Sequence, residues 1–433
     1  MESQATSTAD RATDAALVRG IGFFALAASV LNNTIGGGIF SMPRDLARDL
    51  GAAAPLVLVL GALVFVPIAL CFSAAGSRIH ATGGAYRYVE AAFGQFPGYL
   101  VASLLWISNV AASGAIAAAL ADQAGRAWPV LAHGLPRDGF ILASYVVLCI
   151  ANARGVRMGA RAIMALATLK LLPLMALAIV GLAFVHPASL HVGAMPPVSA
   201  IAGSMALVIF AYGGIETALL PSGEVRDPSR VVPRATMAAI ILVVLLYVAL
   251  QIVSQSLLGG ALEKSNAPLI DAATAIAPWS RNLLLLAAGI SLFGFMQNDL
   301  FGSSRLLYAL ARDGYLPSPL ARITAVHRVP LGSVLLYATI GAVLAISGGT
   351  DGFTILVLFS GKAICFVYFG VCAAAWVLQR RDTREGGTPF RLAGGPLIPL
   401  VGCASMVWVL TTTEVKEWLA MGGAVLAVIV VYA

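Results

Sequence analysis

The residues that could do chemistry in this chain stand inside apolar runs. The first group is Asn32-Asn33-Thr34-Ile35-Gly36-Gly37-Gly38-Ile39-Phe40, within a run from about residue 22 to 42. Three adjacent glycines cost a helix about 1 kcal/mol each relative to alanine, and they leave no side chain between the backbone and an approaching group. A helix broken there would turn free N–H groups and a positive half-helix end towards a small anion. The same glycines also suit a close helix–helix crossing. A second group is Phe210-Ala211-Tyr212-Gly213-Gly214-Ile215-Glu216-Thr217. Here Glu216 would be costly to bury as an ion. It reads as a brace for free backbone of the first group, or as a substrate contact. Phe210 and Tyr212 could close over a ligand as a gate, or simply pack. Lys170, in Leu169-Lys170-Leu171, sits too deep to snorkel and must pair, face water or lose its proton. Asp299 and Lys362 are the remaining intramembrane charges to explain. Asp299 could hold a cationic side chain, bind protons, or pair with Lys170 or Arg305, and the salt bridge is the plainer reading.

These groups need long apolar elements to position them. The 433 residues are 59% hydrophobic and 11% charged, against about 25% charged in soluble domains. The expected fold is therefore an all-α polytopic membrane protein. Twelve apolar runs are expected, near 22–42, 52–74, 96–125, 138–153, 158–184, 196–221, 233–258, 282–311, 329–348, 353–379, 396–412 and 416–433, each near the roughly 20 residues that span a bilayer. No long polar block marks a second domain. Residues 1–18 read as a cytoplasmic tail without the apolar core of a signal peptide, and 19–433 as one transmembrane domain. With the N-terminus inside, inner segments hold eighteen Lys and Arg and outer segments seven, leaving Lys170 and Lys362 within spans. That asymmetry fits a cytoplasmic N-terminus and an inner (cell) membrane. The net charge of +7 reports topology, not nucleic-acid binding. The five cysteines form no C-x-x-C and lie in apolar runs. Neither a disulfide-linked subunit, a metal site nor a cofactor is expected.

A five-run offset links the glycine breaks at Gly36–Gly38 and Gly213–Gly214, and again Lys170 and Lys362. Because five is odd, the second set would enter the membrane inverted. Residues 19–185 and 195–380 then form two inverted repeats, followed by two helices in 395–433. Paired glycine-broken helices in inverted halves point to a transporter's binding site.

Four stretches, in order, carry a resemblance. Ile35-Gly36-Gly37-Gly38-Ile39-Phe40 resembles the G-x-G-[IV]-F signature of the amino acid–polyamine–organocation (APC) transporter superfamily. Gly83-Gly84-Ala85-Tyr86-Arg87-Tyr88 resembles its GGxYxY segment. Phe210 to Glu216, with Gly223 to Ala235, resembles its sixth helix and the following loop. Arg305 to Pro317 resembles the end of its eighth helix. The resemblance implies a LeuT-like fold and secondary active transport of amino acids. It places a substrate carboxylate on the N–H groups of Gly36, Gly37 and Gly38. It places an amino group on carbonyls of Thr34 or Ile35 and of Phe210 or Ala211, with Tyr212 and Gly213 beside them. Lys170 resembles the fifth-helix lysine of sodium-independent members, as a proton-coupling group or a fixed cation. Proton symport or exchange is implied. A cationic amino acid or polyamine antiporter is the alternative, as is a non-transporting sensor. A channel or a membrane enzyme finds no support in the residues: they offer neither rings of pore charge nor a catalytic His, Cys or Ser set.

Overall fold

The computed structural model describes residues 17–186, 191–192, 195–347, 349–411 and 415–432. The expected N-terminal tail lies outside the described residues as far as residue 16. The described chain is helical, and its one strand-like pairing is an isolated bridge between Ile21 and Val225. Among the described residues, eight helices are long and apolar enough to cross a membrane, and three more are apolar but shorter. Large apolar side chains such as Leu63, Leu172, Ile179, Leu245 and Leu286 are more than half exposed along them. A soluble protein would cover such surface.

The first apolar run divides at its glycines. Helix α1 spans Phe23–Thr34, a 3₁₀ turn spans Gly38–Phe40, and α2 spans Met42–Leu50. The run was expected to end near residue 42. Instead α2 continues it as an amphipathic helix that buries Met42, Leu46 and Leu50 and turns Arg48 and Asp49 outward. Its charges hide it from a hydropathy reading, although its apolar positions keep helical spacing. Helix α3 (Ala54–Arg78) begins with proline in its first turn and carries no charge before Arg78. It leads into α4 (Ala85–Phe93) and the 33-residue α5 (Gln95–Ala127), then α6 (Gly134–Ala153) and α7 (Val156–Leu182).

The second break falls where glycines predict it. Helix α8 (Val198–Tyr212) stops at Gly213, and a single turn, α9 (Ile215–Ala218), follows Gly214. Then come α10 (Pro228–Leu258), α11 (Pro268–Ile276), α12 (Ser280–Arg312), α13 (Leu331–Ser347), α14 (Gly349–Arg380), α15 (Leu397–Thr411) and α16 (Val415–Tyr432). An aromatic column fills the core between α3, α8, α10 and α14. Tyr212 stacks on Tyr247 at 5.6 Å between ring centroids, and Phe65 lies 5.9 Å from Tyr212 and 6.0 Å from Tyr368.

Two arginines near helix ends, Arg78 and Arg305, are fully buried. Arg78 meets Asp382 at 3.3 Å, and Arg305 meets the buried Glu224 at 3.3 Å while lying 3.9 Å from the Phe301 ring centroid. Each ties the end of its helix to a segment distant in the chain.

Candidate functional site

The two helix breaks touch backbone to backbone. Gly214 has φ +118°, and a Cβ there would stand 2.8 Å from both Asn33 C and Thr34 N. Only glycine permits that conformation and that approach. Asn33 Nδ2 donates to the Gly214 carbonyl at 3.3 Å, and Asn298 Nδ2 on α12 donates to Asn33 Oδ1 at 2.8 Å. Asn33, beside the first glycine cluster, thus fastens one break to the other.

Each break frees backbone groups, and their partners can be traced. At the end of α1, Lys170 Nζ donates to the carbonyls of Asn32 at 2.9 Å and Ile35 at 2.6 Å. Lys170 is fully buried on α7, and its amine sits at the negative end of α1. Ile35 O also accepts from Ser291 at 3.1 Å. Thr34 O accepts from Gly36 N at 3.0 Å and from Tyr247 OH at 2.9 Å. Both carbonyls therefore already hold two donors, which is the capacity of a carbonyl oxygen. On the other helix, Phe210 O accepts only from Gly213 N at 3.0 Å and Ala211 O from Tyr247 OH at 3.3 Å, so each keeps a lone pair. Among the described residues, the N–H groups of Gly37, Gly38 and Ile39 have no acceptor in the protein, whereas that of Gly36 is taken by Thr34.

A cavity of about 500 Å³ adjoins both breaks. Thr34, Gly36, Gly37, Gly38, Phe210, Ala211 and Gly213 line it. Most of its remaining wall is apolar, from Ile39, Met42, Ile116, Leu207, Phe295 and Met406 among others, with Asp45, Glu216 and Lys362 as its charges. Asp45 is already paired with Arg44 at 2.9 Å. The arrangement offers consecutive amide donors to an anion and unfilled carbonyls to a cation, beside an apolar chamber.

The amino acid permease family model matches residues 21–430. The chain belongs to the amino acid permease family. The permease is 29% identical to an uncharacterized transporter of Mycobacterium tuberculosis over 92% of its own length and 87% of that protein. It is 27% identical to the large neutral amino acids transporter small subunit 2 of Homo sapiens, over 87% and 72% of the two chains. It is 26% identical to the Asc-type amino acid transporter 1 of Mus musculus, over 96% and 80%. The permease is a multi-pass membrane transporter, not an enzyme.

Two expected site residues of the permease, Tyr212 and Asp299, lie outside the cavity lining, and a third, Glu216, lines it but has other partners than the sequence suggested. Tyr212 is fully buried and outside the cavity lining, with its OH donating to Leu58 O at 3.0 Å. Residues two apart on a helix point about 200° apart, so Phe210, which is half exposed on the cavity, and Tyr212 cannot both face it. Glu216 braces its own helix break and not the first one. It accepts from Gly214 N at 3.0 Å and from Tyr368 OH at 2.5 Å. Asp299 pairs with neither Lys170 nor Arg305. It is buried on α12, accepts from Tyr337 OH at 2.6 Å and Ser303 Oγ at 3.2 Å, and does not line the cavity.

The reading of the sequence also missed the permease's main props. On α10, Tyr247, Gln251 and Gln255 stand one turn apart. They donate to the carbonyls of Thr34 at 2.9 Å, Pro43 at 3.2 Å and Gly51 at 2.5 Å. The signal for them is a polar stripe with a spacing of four in the second half of a mostly apolar helix. Asn109 is a further one: it lines the cavity and donates to Thr217 Oγ1 at 3.1 Å and to Ser303 Oγ at 2.9 Å.

Proposed function

We propose that this permease carries amino acids across the cell membrane by alternating access, independently of sodium and as a proton symporter or an exchanger. The observation that carries the reading is the run of free N–H groups on Gly37, Gly38 and Ile39 in the cavity that also meets the carbonyls of Phe210 and Ala211. The α-carboxylate binds the former, one residue further along than the glycine triplet suggested. The α-ammonium binds the latter. Charge-assisted bonds of this kind contribute about 1.5–3 kcal/mol each. The apolar chamber favours a neutral substrate with a sizeable apolar side chain, in keeping with the name of one relative, the large neutral amino acids transporter small subunit 2. Lys170 occupies carbonyls at the α1 terminus with its own ammonium, which leaves no call for a metal cation there and supports sodium independence. Twelve spans in two inverted halves, with an inner-face N-terminus, complete the reading, supported by the charge asymmetry and the five-run offset of the breaks.

The test is uptake into proteoliposomes, without sodium, of labelled neutral, cationic and acidic amino acids and putrescine. Each is offered with and without an inward proton gradient, and with unlabelled substrate preloaded. Gradient-driven uptake means symport, and uptake confined to preloaded vesicles means exchange. Uptake restored only by sodium would sink the reading of Lys170. Binding without movement under any gradient would make the protein a sensor.

A further inference from the structure

A second cavity, of about 340 Å³, lies where the start of the described chain meets α7 and the segment before α10. Arg157, Arg161 and Arg226 line it together with Gly20, Ala25 and Met164. All three arginines are also open to solvent, and no acidic residue lines the cavity. Among the described residues none of the three arginines has an ion pair; the bond found for Arg226 runs from its Nε to the Arg19 carbonyl at 3.2 Å. The neighbouring acids are engaged elsewhere: Glu224 with Arg305, and Asp227 with Ser229 at 2.8 Å and Arg230 at 3.8 Å.

Two features set this apart from the scattered positive charge of an inner membrane face. Arg157 and Arg161 stand four residues apart in the first two turns of α7. Like charges at that spacing repel, and the positive end of a helix disfavours cations. The first turn of α7 supplies neither an acidic residue nor a side-chain cap in compensation. An anion in the cavity relieves both penalties. The walls are also held in place by backbone. Arg226 N donates to Ile21 O at 2.8 Å, and Ile21 N donates to Glu224 O at 3.0 Å. A Cβ on Gly20 would stand 3.0 Å from Val156 Cγ1 and 3.4 Å from Arg157 Cγ, so that stretch of chain lies tight against α7. The next positions along α1 and α7 present exposed Phe24 (79%) and Met158 (40%), apolar surface suited to an acyl chain.

We infer that this cavity binds a phosphate-bearing anion, and that its source is the headgroup of an anionic phospholipid. Planar guanidinium groups from two elements match the oxygens of a phosphate in paired hydrogen bonds, and basic pockets between membrane helices recognise such headgroups. The occupant would bridge α7 to the strand-like pair of residues 21 and 225, clamping the entry to α1.

The experiment titrates purified protein in neutral detergent with dioleoylphosphatidylglycerol, dioleoylphosphatidylcholine or inorganic phosphate, reading thermal unfolding. Phosphatidylglycerol should raise the midpoint saturably and phosphatidylcholine should not. The Arg157→Gln/Arg161→Gln pair should weaken the response about tenfold. The pair Arg234→Gln/Arg322→Gln, as exposed as Arg157 and Arg161, removes equal charge outside the cavity and should leave the response intact. An equal response to inorganic phosphate would keep the anion site and assign it to a soluble ligand. No response to either anion, or the same loss in both double variants, would overturn the inference. Arg226→Gln, on a different element, repeats the test should the first pair fail to fold; wild-type affinity in that variant would also overturn it.

Discussion

Replacing Gly38 with alanine separates the cavity from the fold. Gly38 does not have the positive φ that would strain another residue, and a Cβ added there meets no atom within 4 Å. The change should leave stability within about 0.5 kcal/mol of wild type. The new methyl group, however, stands among the N–H groups proposed to hold the carboxylate. Displacing the ligand from one charge-assisted hydrogen bond costs about 1.5–3 kcal/mol, which is roughly a ten- to hundredfold weaker affinity. Thermal unfolding of the purified variant and concentration-dependent uptake into proteoliposomes measure the two halves. The expected result is an unchanged melting curve with a KM raised by that factor. A wild-type KM would place the ligand elsewhere. A large drop in melting temperature would show that the space around Gly38 is not open.

Gly214→Ala should do the reverse: positive φ and two backbone atoms at 2.8 Å imply a loss of about 2–6 kcal/mol, read as a collapse in melting temperature and expression. Tyr247→Phe keeps the stack on Tyr212 but strips a donor from Thr34 and Ala211; it should cost about 1–3 kcal/mol in unfolding experiments, and an unchanged curve would deny the hydroxyl a bracing role. Lys170→Met should lower sodium-free uptake at least about tenfold by freeing the α1 carbonyls, and full activity in that variant would refute its place in the cycle. Arg305→Met leaves Glu224 buried without the cation at 3.3 Å and should cost about 3–5 kcal/mol, checked by denaturant unfolding against a double variant that also carries Glu224→Gln, which should recover part of the loss.

The legible parts of this molecule are those that announce themselves locally. A charge in an apolar run and a cluster of glycines are anomalies in any window of sequence. Lys170 and the breaks at Gly36–Gly38 and Gly213–Gly214 stand out for that reason. Partners were less legible, because they are set by packing between distant segments. Nothing near Glu216 says that its acceptor oxygen turns back to Gly214 and Tyr368, and nothing near Asp299 points to Tyr337. Which carbonyls stay open is less visible still, since Thr34 and Ile35 are filled by Tyr247, Ser291 and Lys170 from three other helices. The direction of Tyr212 was available from helix geometry alone, once Phe210 was given the cavity face. Helix α2 escaped because its four charged residues lower hydropathy without disturbing amphipathic spacing.

The stripe of donors on α10 fixes a length as well as a position. Tyr247, Gln251 and Gln255 are about 6 Å apart along a rigid rod at 1.5 Å per residue, and they hold carbonyls at positions 34, 43 and 51. The chain between those carbonyls is thereby measured against a ruler. Adding or removing one residue within 35–50 would shift the register of at least one anchor and strand a buried glutamine amide. Loops elsewhere in the molecule can absorb an insertion, but this stretch can change sequence only at constant length.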